Sequence, residues 1–363
     1  VASEDALTKG RVLAAMSGGV DSSVAALLLK REGWDVIGVT MDLFGNPGEP
    51  EGKCCSFDDR RDARRVCESI GIPFYVLNMK DAFREMVIDP FIREYARGRT
   101  PNPCALCNER LKFGALMKKA DELGAGMIAT GHYAVIRRDP SGCRLFASPH
   151  KAKDQSYFLF SLDAARLSRI LFPVGELGKE QVRHLASEAG LPVSGKEESQ
   201  DICFVPDGSY AGFLARNGIV SPEGDFVDLR GNVIGRHRGI IHYTVGQRKG
   251  LGVAGSEPLY VIRIDASGNR VVLGPGDATR FPDATVEGAT FVAGRPPADT
   301  FRATARIRYR HPGAPATVSV SPSGDRLSVR FDEPQRGVAP GQALVLYDGE
   351  EVIGGGWIAC ATD

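Results

Sequence analysis

The sequence predicts an α/β N-terminal domain built on a parallel sheet, then a small, mainly β central domain and a C-terminal antiparallel β-barrel. Three observations lead there. Over the first third, short apolar β-branched segments alternate with helical ones, the pattern of a parallel sheet covered on both faces. From about Asn217, short segments punctuated by Gly, Pro and Asp take over, as in antiparallel barrels or sandwiches. The 363 residues also suggest two or three domains, since a single core rarely grows far beyond about 150–200 residues.

In order, residues 12–16 read as a strand, 20–31 as a helix, 36–41 as a strand, 58–70 as a helix and 74–78 as a strand. Helices at 82–96 and 109–123 and a strand at 127–129 follow, while 46–53, rich in Gly, Pro and Glu, reads as a loop. Later strands are expected at 260–264, 270–273, 285–291, 302–308, 317–320, 327–331 and 343–347. The expected boundaries give domains at 1–208, 209–275 and 276–363.

Composition narrows the function. The 45 basic and 45 acidic residues cancel, which argues against a protein that coats nucleic acid but not against one that holds RNA through a local patch. No apolar run reaches the roughly 18–20 residues that cross a bilayer. Val1-Ala2-Ser3-Glu4-Asp5 has no basic region leading into an apolar stretch, so a cytoplasmic protein without membrane contact is expected, taken as a monomer. Eight cysteines, at 54, 55, 67, 104, 107, 143, 203 and 360, do not make a secreted disulfide scaffold in so long a chain. Cys67, Cys143 and Cys360 are expected to be small buried hydrophobes, and Cys54-Cys55 to lie in a surface loop.

Ala15-Met16-Ser17-Gly18-Gly19-Val20-Asp21-Ser22-Ser23 leaves the first strand and opens the first helix. The glycine pair permits a tight turn with exposed amides, serines add hydroxyl donors, and the helix start adds unpaired N–H groups and positive dipole; together these suit an anion. The loop is neither Gly-x-x-x-x-Gly-Lys nor Gly-x-Gly-x-x-Gly. Since a carboxylate repels bare phosphate, Asp21 is expected to act through a magnesium ion. The loop resembles the signature of the ATP pyrophosphatase superfamily, which splits ATP between its α and β phosphates and activates a carbonyl as an adenylate. Ligands of such sheets lie at the carboxyl ends of the strands, so Met41 and Gly131 are expected to wall the nucleotide pocket. His132 reads equally as a phosphate ligand or a structural residue.

Cys104 and Cys107, at Cys-x-x-Cys spacing just before the expected 109–123 helix, read as a redox pair, half a zinc site, iron–sulfur ligands or coincidence. A helix start would favour the thiolate. Cys203, between Ile202 and Phe204, reads either as core or, given the polar residues before it, as a catalyst.

Further stretches extend the likeness: Gly98-Arg99-Thr100-Pro101-Asn102-Pro103, Cys107-Asn108, Ala129-Thr130-Gly131-His132-Tyr133, Lys153-Asp154-Gln155-Ser156-Tyr157-Phe158-Leu159, Phe172-Pro173-Val174-Gly175, Ile202-Cys203-Phe204, Gly246-Gln247-Arg248-Lys249-Gly250-Leu251-Gly252 and Arg308-Tyr309-Arg310. With these in order over nearly its whole length, the chain resembles the tRNA-specific 2-thiouridylases. The resemblance implies a Rossmann-like ATP pyrophosphatase domain and ATP-driven adenylation of the 2-oxygen of the wobble uridine in tRNA, those for Lys, Glu and Gln being expected, followed by replacement of that oxygen with sulfur. It implies a persulfide on Cys203 with Cys107 as catalytic partner, ATP contacts from residues 15–22, Met41 and Gly131, and a wall around the target base from Asn102, Pro103 and Cys104. Lys153, Asp154, Gln155, Arg308 and Tyr309 carry over as tRNA contacts. The sulfur donor is expected to be a cysteine desulfurase or a relay protein. Some members have Asp where this chain has Cys104, so Cys104, Cys107 and Cys203 also make a three-thiolate set for an iron–sulfur cluster with one open iron.

Arg306, Arg308 and Arg310 alternate with Ile307 and Tyr309, which at strand periodicity sets three guanidiniums on one face to meet backbone phosphates. Arg248-Lys249 forms a second basic loop. Two rivals remain open: an ATP pyrophosphatase acting on a small metabolite, which would tolerate loss of Cys107 and Cys203, and a non-enzymatic RNA-binding module, which would leave Asp21 without a purpose.

Overall fold

A computed structural model describes residues 9–44, 57–140, 142–196, 202–205, 208–254 and 257–362. Cys54-Cys55 and the loop expected over 46–53 lie outside the described residues. The chain divides into two compact units, Val1–Met86 with Leu106–Gly208, and Val87–Ala105 with Ser209–Asp363.

The first unit is built on a five-stranded parallel sheet. Its strands are β1 (Arg11–Ala15), β2 (Asp35–Asp42), β3 (Phe74–Asn78), β4 (Met127–Ala129) and, after a hairpin of β5 (Ala134–Asp139) and β6 (Gly142–Ala147), β7 (Ile170–Leu171), in the order β3-β2-β1-β4-β7. β1 lies between two neighbours, with Val12 opposite both Val36 and Met127. This explains its unbroken apolar run, since a central parallel strand is buried on both faces. Helices Val20–Arg31, Phe57–Ile70 and Lys179–Glu188 supply Val24, Val66 and Val182, each fully buried, to one core. Each such side chain stabilises the fold by about 1.5–3 kcal/mol. On β2, a Cβ at Gly38 would lie 2.5 Å from Cys67 Sγ, so the close approach of helix Phe57–Ile70 requires glycine there.

Two expected helices are reshaped. The 82–96 stretch is Lys80–Phe83, a π-helical turn at Arg84–Ile88, and Asp89–Ala96. The helix expected at 109 begins at Pro103 instead: Pro103–Leu106 passes into a π-helical Cys107–Ala115, with Phe113 off helical geometry (φ −106, ψ 17), and then Leu116–Glu122. The cause is local. Asn102 Oδ1 accepts the Ala105 N–H at 3.2 Å, an N-cap bond placed before a proline at the first helical position.

The second unit holds a four-stranded sheet and a barrel. The sheet runs β10 (Tyr260–Asp265), β11 (Arg270–Gly274), β8 (Gly224–Val227), β9 (Val233–His237). A helix that the sequence reading passed over, Tyr210–Arg216, precedes it and packs Tyr210 and Phe213 on Phe91. The barrel strands are β12 (Arg280–Phe291), β13 (Thr300–Arg306), β14 (Ala314–Val320), β15 (Arg326–Arg336), β16 (Ala343–Asp348) and β17 (Glu351–Thr362), in the order β12-β15-β14-β13-β16-β17, with β17 pairing back onto β12. Val286, Val318, Val329, Leu344 and Ile358 fill the interior, all fully buried. Two cysteine expectations fail: Cys360 on β17 is exposed and Cys143 on β6 is half-buried, whereas Cys67 is buried as expected. Among the described residues no helix is long and apolar enough to cross a membrane.

Candidate nucleotide and sulfur-transfer site

The phosphate loop leaves β1 at its carboxyl end. Met16 N–H donates to Val39 O at 2.7 Å and Thr40 Oγ1 donates to Met16 O at 2.7 Å, which fixes the exit. Gly18 adopts φ +74, and a Cβ there would run into the Asp59 backbone, 2.8 Å from its Cα; both facts require glycine. Ser22 and Ser23 hydroxyls donate to Gly19 O at 3.1 and 2.8 Å, and Ser22 Oγ accepts the Ser17 N–H at 3.2 Å. Gly19 caps helix Val20–Arg31 without a side-chain bond, and Asp21 stands in the first turn, so no side chain caps the amides of this helix start.

Around the loop the structure brings together what the sequence scattered. Gly131 lies directly on the first turn: a Cβ there would sit 2.6 Å from Ser22 N. Met41, buried at the end of β2, lies one strand from β1. Asp21 is held by residues that the sequence reading missed. Lys179 Nζ donates to its two carboxylate oxygens at 2.8 and 3.0 Å, and Tyr133 Oη donates to Oδ1 at 2.6 Å. The Lys179 and Asp21 side chains are only 15% and 27% exposed. The sequence signal for Lys179 was a cation at the first position of helix Lys179–Glu188, where the dipole disfavours it unless an anion is near.

Gln155 clasps Tyr133, its Oε1 accepting the Tyr133 N–H at 3.0 Å and its own N–H donating to Tyr133 O at 2.8 Å. Asp154 is buried, its Oδ1 accepting the Ser148 and Ser156 N–H groups at 3.1 Å each. Both residues therefore shape the turn beside the site, and Lys153 is half-buried. His132 packs edge-on against Phe172 and tilted against Phe113, with Nδ1 2.7 Å from Thr130 Oγ1. Desolvation, then Lys112, hold it well below the ordinary imidazole range, which favours the neutral ring.

A single carboxylate suits magnesium, which is commonly held by one or two carboxylates and the substrate's phosphates. Asp21 would hold it. Among the described residues no three His, Cys, Asp or Glu are gathered as metal ligands.

Cys107 is half-buried at the start of the π-helical segment, inside the helical run rather than ahead of it, and Cys203 is half-buried in a turn closed by Val205 N–H to Ile202 O at 3.0 Å. Their segments share a neighbour. Helix Lys80–Phe83 packs on the Cys107–Ala115 segment, and the Phe83 ring meets Phe204 at 5.8 Å. Next to Cys107, Asn108 is buried and donates to Phe158 O at 3.1 Å, leaving Oδ1 without a partner. Burial raises the Glu109 carboxyl above its usual range, against the lowering effect of Arg110 and Arg166. In the second unit, Asn102 and Pro103 are buried and Cys104 is exposed.

The expected arginine row does not form. β13 ends at Arg306, whose guanidinium lies over the Tyr347 ring at 4.3 Å. The chain turns where His311 Nδ1 accepts the Gly313 N–H at 3.2 Å and Gly313 takes φ +98, a turn written in Pro312-Gly313. Ile307 is buried, Arg308, Tyr309 and Arg310 are exposed on the turn, and Arg308 Nη1 donates to Arg336 O at 3.1 Å. Arg248 and Lys249 are exposed, and Arg248 borders a cleft of about 510 Å³ formed with residues 250–254 and 257–259.

Three family models match in succession: a tRNA methyl transferase HUP domain over residues 10–207, a tRNA methyl transferase PRC-barrel domain over 211–275 and an aminomethyltransferase β-barrel domain over 283–358. The tRNA-specific 2-thiouridylase of Geobacter metallireducens is 50% identical over 97% of both chains. That of Chloroflexus aggregans is 50% identical over 96% of this chain and 98% of its own, and that of Magnetococcus marinus 48% over the same shares. With such identity along nearly the full length of each relative, and with the phosphate loop and both cysteine segments in place, this chain belongs to the tRNA-specific 2-thiouridylase family.

Proposed function

We propose that this chain uses ATP to activate the 2-carbonyl of the wobble uridine of tRNA and replaces its oxygen with sulfur, giving 2-thiouridine, AMP and pyrophosphate. The observation that carries this reading is the phosphate loop, whose helix start is uncapped by any side chain and whose Asp21 is bracketed by Lys179 and Tyr133. Amides of the first turn hold the β and γ phosphates, and Lys179 turns from Asp21 toward them. Asp21 would hold a magnesium ion, which would supply positive charge to offset that of the phosphates. The uridine O2 attacks the α phosphorus and pyrophosphate leaves.

Cys203 carries sulfur as a persulfide. Its terminal sulfur attacks C2, AMP departs with the former O2, and Cys107 attacks the Cys203 sulfur to release thiouridine and leave a Cys107–Cys203 disulfide for reduction. Alternatively Cys107 first frees sulfide, which attacks C2. The shared packing around Phe83 supports this two-cysteine route over a three-thiolate cluster. The target base is flipped from its stack toward Asn102, Pro103 and Cys104, and Arg248, Lys249, Arg308, Tyr309 and Lys153 hold the RNA. The substrates are the tRNAs for Lys, Glu and Gln, and the donor is a cysteine desulfurase or a relay protein, in the cytoplasm.

Incubation with ATP, magnesium, a persulfide donor and unmodified tRNA, followed by nucleoside analysis, tests the activity; no 2-thiouridine where ATP and tRNA both bind would defeat it. Anaerobic purification with iron and sulfide analysis tests the route, and stoichiometric iron in the active protein would reverse the choice.

A further inference from the structure

Asn108 is built in a way that stability alone does not explain. Its side chain is buried, and while Nδ2 donates to Phe158 O at 3.1 Å, Oδ1 has no partner among the described residues. A buried acceptor left unmade costs stability. Asn108 also lies in the π-helical Cys107–Ala115, a rare conformation found mostly at functional sites. Departures of this kind call for a reason, and the neighbour that supplies one is Cys107.

A continuous run of hydrogen bonds leads away from Asn108, all of it inside the first unit. Phe158 N–H donates to Gln155 O at 3.0 Å, closing the turn Ser156–Leu159 that packs on the Cys107–Ala115 segment. Gln155 is bonded to the Tyr133 N–H and carbonyl at 3.0 and 2.8 Å, and the buried Tyr133 donates from Oη to Asp21 at 2.6 Å.

The geometry points to Asn108 as a positioning residue: its amide pins the Cys107 segment to the turn that holds Tyr133 on Asp21, so the cysteine and the phosphate loop share one hydrogen-bonded frame. Two reactions at one carbon need such a frame. Adenylation fixes where C2 lies relative to the loop, and Cys107 must then act on the sulfur bound for that carbon before water reaches the adenylate. A misplacement near 1 Å costs up to about 100-fold in such a step. This inference rests on the proposed two-step reaction and names the residue that keeps its second step in register with its first.

The test uses the full chain with saturating ATP, magnesium, a persulfide donor and unmodified tRNA, and measures 2-thiouridine formed per AMP released. In Asn108→Leu, which removes the bond and the unpartnered oxygen together, water hydrolyses the adenylated uridine to uridine and AMP, and the ratio is expected to fall about 10-fold or more at unaltered ATP affinity. Tyr133→Phe, which lacks only the oxygen that meets Asp21, cuts the same frame at its other end and lowers the ratio as well. Independent sites multiply to within about twofold, so the double variant is expected to fall short of the product of the two single effects by more than that. A folded Asn108→Leu protein with the wild-type ratio, or effects that simply multiply, would overturn the inference alone. Should Asn108→Leu not fold, the alkylation rate of Cys107 by iodoacetamide in Tyr133→Phe, mapped by mass spectrometry, decides: a rate different from that of the wild type is expected, and an equal rate would overturn the shared frame. A wild type that binds ATP and tRNA and makes no 2-thiouridine would defeat the reaction and the inference with it.

Discussion

Replacing Gly131 with alanine adds one methyl group and tests the phosphate site by space alone. Gly131 does not lie in the left-handed region, so alanine suffers no backbone strain there. The new Cβ would meet Ser22 N at 2.6 Å, Asp21 C at 2.7 Å and Asp21 O at 3.0 Å. All three are backbone atoms of the first helical turn, so no side chain can swing aside. Bringing Asp21 C out to the roughly 3.5 Å of ordinary contact displaces one segment by about 0.8 Å. Overpacking of this kind costs about 1–3 kcal/mol of stability. A shift near 1 Å in a group that must meet a ligand costs up to about 100-fold, so ATP affinity is expected to fall about 10- to 100-fold, or about 1.4–2.7 kcal/mol. Calorimetric titration with ATP at fixed magnesium, paired with a thermal melt, measures both. A folded Gly131→Ala protein with wild-type ATP affinity would show that the first turn of helix Val20–Arg31 is not where phosphates bind.

Lys179→Met removes the ammonium from a carboxylate that is 27% exposed. Breaking a buried pair costs about 3–5 kcal/mol, and partial exposure reduces this to about 1–2, so the unliganded melting temperature should drop and ATP should bind more weakly; an unchanged melt and titration would contradict the pairing. Burial raises the Glu109 carboxyl, so folding favours its protonated form, and that contribution is present at acid pH and lost as pH rises through the folded value. Glu109→Gln is therefore expected to raise the melting temperature at about pH 8 and leave it unaltered at about pH 4; equal shifts at both would refute the assignment. The Cys67 thiol is pushed up to about 12, chiefly by burial and then by Glu68, so iodoacetamide at about pH 8 should spare it in the reduced protein while half-buried Cys107 and Cys203 react. Arg308→Ala should weaken tRNA binding and lower its salt slope by about one, and unchanged binding at low and high salt would remove this surface from the interface.

What was legible in the sequence was what neighbouring residues decide. The phosphate loop could be read because strand, glycine pair and helix are contiguous, and β3 and β4 because their apolar runs end in turn residues. Lys179 could not be paired with Asp21 in the same way, because 158 positions separate them and only the packing of helices Val20–Arg31 and Lys179–Glu188 makes them neighbours. Two misreadings were local and avoidable. The helix carrying Cys107 starts earlier because Asn102-Pro103 is a cap followed by a first-turn proline, and the arginine row breaks because β13 ends at Arg306 and the chain turns over 307–313. Cys360 shows a different limit: an outward position on a barrel strand and an inward one share a residue type, and only register distinguishes them.

The charge pattern explains why a carboxylate stands at a phosphate site. Asp21 lies in the first turn of its helix, where the dipole favours an anion, and Lys179 begins another, where the dipole disfavours a cation. Joined to each other, they let both helix starts face one point without uncompensated charge and without a permanent side-chain cap on the first. An incoming Mg–ATP brings a cation for the carboxylate and anions for the ammonium and the uncapped amides. The exchange replaces each partner by one of like sign, so the site can stay folded before substrate arrives and still bind it. A site built from lysine and amides alone would carry net positive charge at two helix ends and would hold any phosphate that reached it. On the proposed reading, Asp21 would tie tight binding to the presence of a metal ion. On this argument Asp21→Asn should bind free pyrophosphate at least as well as the wild type, while losing most of the magnesium dependence of ATP binding.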